Sequence, residues 1–344
     1  MMRILLYTCL LFLVFACRDS EETRKQRFLL KGNELLMKRN YPLAIKNYQE
    51  ALRLDPCYAD ALNNMGTVYF QQKQYAEALE FYQQALGCNP GFSNALFNRA
   101  NTYYELGRLN ESLRDVRKIQ EQKPDTLPVI FLEGLILTKL REYPAAIAVF
   151  QRGLEISPDN IEILVNIGTI FYYEHEYAKA KQMLSNVLRI ASDEPNGFNS
   201  LAMVYAAEGN TDEALLQVNQ ALALRPGDAY FLNNRGFLFL QKGELDKALE
   251  DINISIVRDP YNGWSYRNKG IYYLLTGDNT SAVRLLRQAV SMDPFIEQVN
   301  YYLAVAIWRT GGKADACQYW EESILQKERL ENVLVRQDFG FCNE

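Results

Sequence analysis

"ALNNMGTVYFQQKQYAEALEFYQQALGCNP", residues 61–90, decides the fold, because "FLNNRGFLFLQKGELDKALEDINISIVRDP", residues 231–260, repeats its plan. Starts at 25, 59, 93, 127, 161, 195, 229, 263 and 297 align nine units of 34 residues without an insertion or deletion. A fixed period of this length marks a stacked repeat architecture. The eighth position of each unit holds Gly32, Gly66, Ala100, Gly134, Gly168, Ala202, Gly236, Gly270 and Ala304. The twentieth holds alanine at 44, 78, 146, 180, 214, 248, 282 and 316, with Ser112 in the third unit. In the first eight units the thirty-second holds Pro56, Pro90, Pro124, Pro158, Pro226, Pro260 and Pro294, with Ser192 the exception.

These columns have a direct physical meaning. Apolar residues at offsets 4, 7, 8 and 11 form one helix face, and those at 20, 24 and 27 form a second. Small residues at 8 and 20 let two antiparallel helices approach until ridges enter grooves. Proline at 32 cannot continue the second helix and ends the unit. Two such helices bury too little surface by themselves, so neighbouring units must share a core. The expected fold class is all-α, a right-handed superhelical solenoid of about nine helix–turn–helix units over residues 25–330. A tenth unit would put Asp338 where a small residue belongs, so residues 331–344 read as a solvating C-terminal cap.

The small–small–proline skeleton resembles the tetratricopeptide repeat family. That resemblance implies that the first helix of each unit lines a concave face through positions 2, 5, 6, 9 and 12. Position 6 carries Asn64, Asn98, Asn166, Asn234 and Asn268. An asparagine amide both donates and accepts, so a column of them can grip the backbone of an extended peptide; alternatively, these amides satisfy groups of the protein itself or face water. Tyr104, Tyr172, Tyr230, Trp264 and Trp308 fall in the same columns and complete the expected peptide-binding groove. The family's clamp for an acidic C-terminus needs lysine at position 5, where the only cation here is Arg267, so capture of an acidic tail is not expected.

Chemistry is sparse. The single histidine, His175, falls between the two helices of the fifth unit and reads as a turn residue, not a base. No HExxH, P-loop or GxGxxG is present, and no catalytic residue, metal site or cofactor is expected. With 37 Lys+Arg against 42 Asp+Glu, the net charge of −5 disfavours a nucleic-acid partner, which would call for a basic stripe.

The N-terminus points to location. A basic start precedes a 13-residue apolar run, Ile4–Ala16, which stops at Cys17. As a helix that run spans about 20 Å, short of a bilayer core of about 30 Å. It therefore reads as a signal peptide, residues 1–16. "LVFAC", residues 13–17, resembles the lipobox of bacterial lipoproteins, which implies a lipid on Cys17 and a mature chain beginning there. Residues 17–24 then read as a charged tether. Cys57, Cys88, Cys317 and Cys342 remain beyond the run; Cys57–Cys88 and Cys317–Cys342 could pair, and free thiols are the alternative. The expected protein is a non-catalytic scaffold, lipid-anchored in the bacterial envelope at the outer membrane, that binds a protein or extended peptide. A docking subunit of an enzyme complex and a soluble cytoplasmic co-chaperone are the alternatives.

Overall fold

Each 34-residue unit folds as two helices joined by a tight turn, in a computed structural model that describes residues 20–122, 126–330 and 332–343. The described residues hold eighteen α-helices, one short 3₁₀ turn at Gly340–Asn343, and no strand. A first compact unit ends at Pro158. It contains α1 (Glu21–Met37), α2 (Tyr41–Leu54), α3 (Ala59–Gln71), α4 (Tyr75–Cys88), α5 (Ser93–Glu105), α6 (Leu109–Gln120), α7 (Leu127–Lys139) and α8 (Tyr143–Ile156). A second unit starts at Asp159. It contains α9 (Ile161–Tyr173), α10 (Tyr177–Ile190), α11 (Pro195–Ala207), α12 (Thr211–Leu224), α13 (Ala229–Lys242), α14 (Leu245–Arg258), α15 (Gly263–Thr276), α16 (Asn279–Met292), α17 (Val299–Arg309) and α18 (Lys313–Leu325). Within each unit, consecutive helices pair as hairpins, and the second helix of one hairpin packs on the first helix of the next.

The fifteenth position makes every turn. Arg39, Lys73, Gly107, Arg141, His175, Gly209, Gly243, Gly277 and Gly311 all lie in the left-handed region, with φ between 55° and 92°. In the fifth repeat the N–H of His175 donates to the carbonyl of Tyr172, and that of Glu176 reaches back to Phe171 at 2.8 Å. Such a closure satisfies carbonyls that the helix end leaves without partners. His175 is thus a turn residue, as its place in the repeat predicts.

The small columns fit side chains of the opposing helix. Tyr82 fills the space beside Gly66, where a Cβ would lie 2.6 Å from its ring, and Phe150 does the same at Gly134. The alanines at position 20 are fully buried in all eight repeats that carry one. Ser112 takes the same place in the third repeat, and its hydroxyl donates to the carbonyl of Ala100 at 2.7 Å. Two hairpins add an ion pair between a buried aspartate and a half-buried arginine. Arg99 binds Asp115 through two bonds of 2.7 Å, and Arg235 binds Asp251 at the equivalent positions.

The N-terminal end departs from expectation. Helix α1 begins at Glu21, so Glu21–Arg24, read above as tether, form its first turn. The Ser20 hydroxyl accepts the N–H of Thr23 at 3.1 Å, and two glutamates sit where the helix dipole favours negative charge. The signal peptide, Cys17 and Pro124 lie outside the described residues. The C-terminal segment covers the last hairpin with an apolar inner side, while Asn332, Arg336 and Asp338 stay exposed. Val333, Val335 and Phe339 are buried, with Phe339 stacked on Trp320 and Phe341 on Trp308. Its apolar residues follow no helical period, which is why the sequence conceals this packing.

The cysteines resolve into two disulfides, Cys57–Cys88 and Cys317–Cys342. The first joins the loop that enters the α3–α4 hairpin to the last residue of that hairpin, and the second ties the C-terminal segment to α18. Among the described residues, no helix is long and apolar enough to cross a membrane.

Candidate functional site

Asparagine at position 6 does not simply face an open groove. Its Nδ2 donates to an asparagine on the preceding hairpin: Asn64 to Asn33 at 2.7 Å, Asn98 to Asn63 at 2.9 Å, Asn234 to Asn199 at 2.9 Å, and Asn268 to Asn233 at 2.9 Å. Four of the five expected gripping amides therefore stitch neighbouring hairpins together. Asn166 differs, since it bonds the carbonyl of Glu162 one turn back on its own helix. The sequence shows the acceptors too, as "NN" at 63–64 and 233–234, but not that the bond crosses between repeats.

In the second unit, the inner helices α9, α11, α13 and α15 surround two cavities of about 300 and 160 Å³. Tyr172, Met203, Asn234 and Trp264 line both of them. Asn268 lines the larger, and Tyr230, more than half exposed, lines the smaller. Burial pushes the Tyr172 hydroxyl well above the ordinary tyrosine value, so it stays protonated and can donate. The structure thus brings together Asn234, Asn268, Tyr172, Tyr230 and Trp264.

The other expected groove residues fall elsewhere. Asn64, Asn98 and Tyr104 belong to the first unit, where Lys139 lies 4.2 Å above the Tyr104 ring. Asn166 is in the second unit but lines neither cavity. Trp308 is covered by Phe341, with ring centres 4.1 Å apart, and faces the C-terminal segment.

Sequence reasoning named Arg267 only as the lone cation at position 5, without a place in a site. Arg267 lines the larger cavity while only 4% exposed. Its Nη1 donates to Asn268 Oδ1 at 2.9 Å and its Nη2 to Gln298 Oε1 at 3.1 Å. The guanidinium carbon lies 5.0, 5.4 and 5.5 Å from the ring centres of Phe237, Trp264 and Tyr302. Aromatic faces stabilise a cation taken out of water. Gln298 in turn donates to the carbonyl of Arg329 at 2.6 Å, and Asn332 reaches the carbonyl of Ala207 at 3.4 Å. The C-terminal segment thereby forms one wall of the cavity. The sequence signal was a lone arginine in a position 5 column that holds no other cation.

That wall is fixed to the last hairpin by a carboxylate. Glu328 accepts the backbone N–H groups of Asn300 and Tyr301, at 3.3 and 3.1 Å, at the start of α17. Burial raises its carboxyl above the usual range, against the pull of those hydrogen bonds and of Arg267.

Sequence profiles described as tetratricopeptide repeat match residues 29–91, 69–130, 127–160, 165–228, 199–263 and 267–328. The chain belongs to the tetratricopeptide repeat family. Solved tetratricopeptide structures show the same fold at low identity. Pseudomonas aeruginosa PilF superposes with a TM-score of 0.52 at 20% identity, over 62% of this chain and 97% of that one. A human IFIT1 dimer with m7Gppp-AAAA gives 0.55 at 21% identity, over 78% and 69%. A sequence search of curated proteins finds no match. The tetratricopeptide scaffold is suited to protein–protein interaction, and members are generally non-catalytic binding proteins.

Proposed function

We propose that the chain is a non-catalytic scaffold that grips an extended segment of a partner protein along its inner helices. In this reading a lipid on Cys17 holds it to a bacterial envelope membrane, at the outer membrane. The observation that carries the binding half is the pair of cavities in the second unit. Pockets that combine aromatic walls with a few fixed polar groups are where ligands are held. Tyr230 and Trp264 offer apolar contact area beside Asn234, a composition that suits a protein partner.

The location half is supported by the apolar run that ends at Cys17. Two disulfides also suit an oxidising compartment outside the cytoplasm. A lipidated N-terminus with more than one acyl chain gives stable anchoring.

Two experiments test this reading. A photo-crosslinking residue in place of Tyr230, activated in living cells, should trap a specific protein. Trp264→Ala should reduce that yield several-fold at unchanged helicity. Undiminished trapping in Trp264→Ala would remove the cavities from the binding surface. For location, metabolic labelling with palmitate should mark the wild type and not Cys17→Ala. Equal label in both would refute the anchor.

A further inference from the structure

We propose that the Arg267 cavity binds a single carboxylate of the partner segment, with an adjacent N–H donor received by Gln241. This deepens, and rests on, the assignment of the cavity as the seat of the partner. A guanidinium has five N–H donors. Arg267 uses one on Asn268 and one on Gln298, and its Nε, shielded from solvent, has no acceptor. Among the described residues, no carboxylate forms an ion pair with it, and Glu328 reaches it only through its field. A cation this buried with no carboxylate bonded to it is costly to maintain, and a planar fork is shaped for a carboxylate.

The second polar group is complementary. Gln241 Oε1, on the same cavity wall, is buried and has no donor. An acceptor there calls for an N–H on the ligand. Phe237 and Trp264 line the same cavity and supply flat apolar surface beside Arg267. Glu297 also lines the cavity, and a second negative charge on the ligand would sit against it. The site therefore differs from a clamp for an acidic run. It takes one carboxylate on an apolar body.

Such a carboxylate can come from a chain terminus or from an acidic side chain, and three small probes separate the sources. N-acetyl-phenylalanine carries a terminal carboxylate, N-acetyl-glutamic acid α-amide a side-chain carboxylate, and N-acetyl-phenylalaninamide none. Each is titrated into the full chain while the Trp264 indole N–H resonance, assigned with Trp264→Phe, is followed. Saturable shifts with one or both acids, and binding at least 10-fold weaker for the neutral amide, are expected; the stronger acid identifies the source. Arg267→Gln and Arg267→Lys should each weaken the acid at least 10-fold, since lysine keeps the charge but loses the fork. No response to either acid, or equal response to the neutral amide, overturns the proposal, and both readings use the wild type alone. If Tyr230 still traps a protein in cells while the acids fail, only this inference falls. If no protein is trapped, the binding reading beneath it falls as well.

Discussion

Gly134→Ala and Gly87→Ala should change stability in opposite directions although both replace a helical glycine. At Gly134 the new methyl would lie 2.4 Å from Cε1 and 2.5 Å from Cζ of Phe150, a ring with no solvent exposure. Phe150 is locked between α7 and α8 and cannot swing aside without disturbing the hairpin. Overpacking of this kind costs about 1–3 kcal/mol. Alanine's better helix propensity returns roughly 0.5–1 kcal/mol. The net loss should be up to about 2.5 kcal/mol. At Gly87, in the last turn of α4, a Cβ would meet no atom within 4 Å, so only the propensity gain remains. Repeat arrays can open hairpin by hairpin, so a global midpoint alone would blur the effect. Amide exchange in α7 and α8 should therefore accelerate in Gly134→Ala, the urea midpoint should fall, and Phe150→Leu on that background should restore part of the loss. A Gly134→Ala protein as protected as Gly87→Ala would refute the close-approach reasoning.

Three further outcomes follow from the same packing. Asp115→Ala should destabilise the first unit by about 1–3 kcal/mol by leaving half-buried Arg99 without its partner, measured by urea unfolding with Arg99→Met and the double variant to complete the cycle. Cys317→Ser with Cys342→Ser should cost about 3–4 kcal/mol of chain-entropy stabilisation for a separation of 25 residues, seen as faster proteolysis of the C-terminal segment. Glu328 has a native pKa raised above its ordinary 4.5, so the folded state holds its proton more tightly than the unfolded state. Its contribution is then fully present below 4.5 and is lost as pH rises through the native value. Amide protection of residues 326–343 should fall over that window in the wild type, and Glu328→Gln should flatten the change.

The repeat frame was legible because small residues and proline recur at positions whose spacing is set by helix geometry. His175 could be placed from that frame alone, without its φ of 61°. Legibility ended where partners lie across repeats. Asn64, Asn98, Asn234 and Asn268 stood out as a column, but a column does not say whether its amides meet a ligand or one another. Arg267 stood out only as the lone cation of its column, since nothing local in "WSYRNKG" announces Phe237, Tyr302 and Gln298 around it. Glu21–Arg24 looked like tether because charge predominates there, whereas the Ser20 cap makes those charges a sound first turn. In residues 332–343, no periodicity marks Val333, Val335 and Phe339 as inward-facing.

The segment covering the last hairpin also bears on growth by addition. A stack of like hairpins ends in a face that resembles the face on which its own next member would have sat, and a second molecule could in principle continue the series from it. Here that terminal face is already filled by the chain's own Phe339 and Phe341, pinned through Cys342. The array thus carries its own stopper, and end-to-end polymerisation from this side would first require the stopper to be lifted.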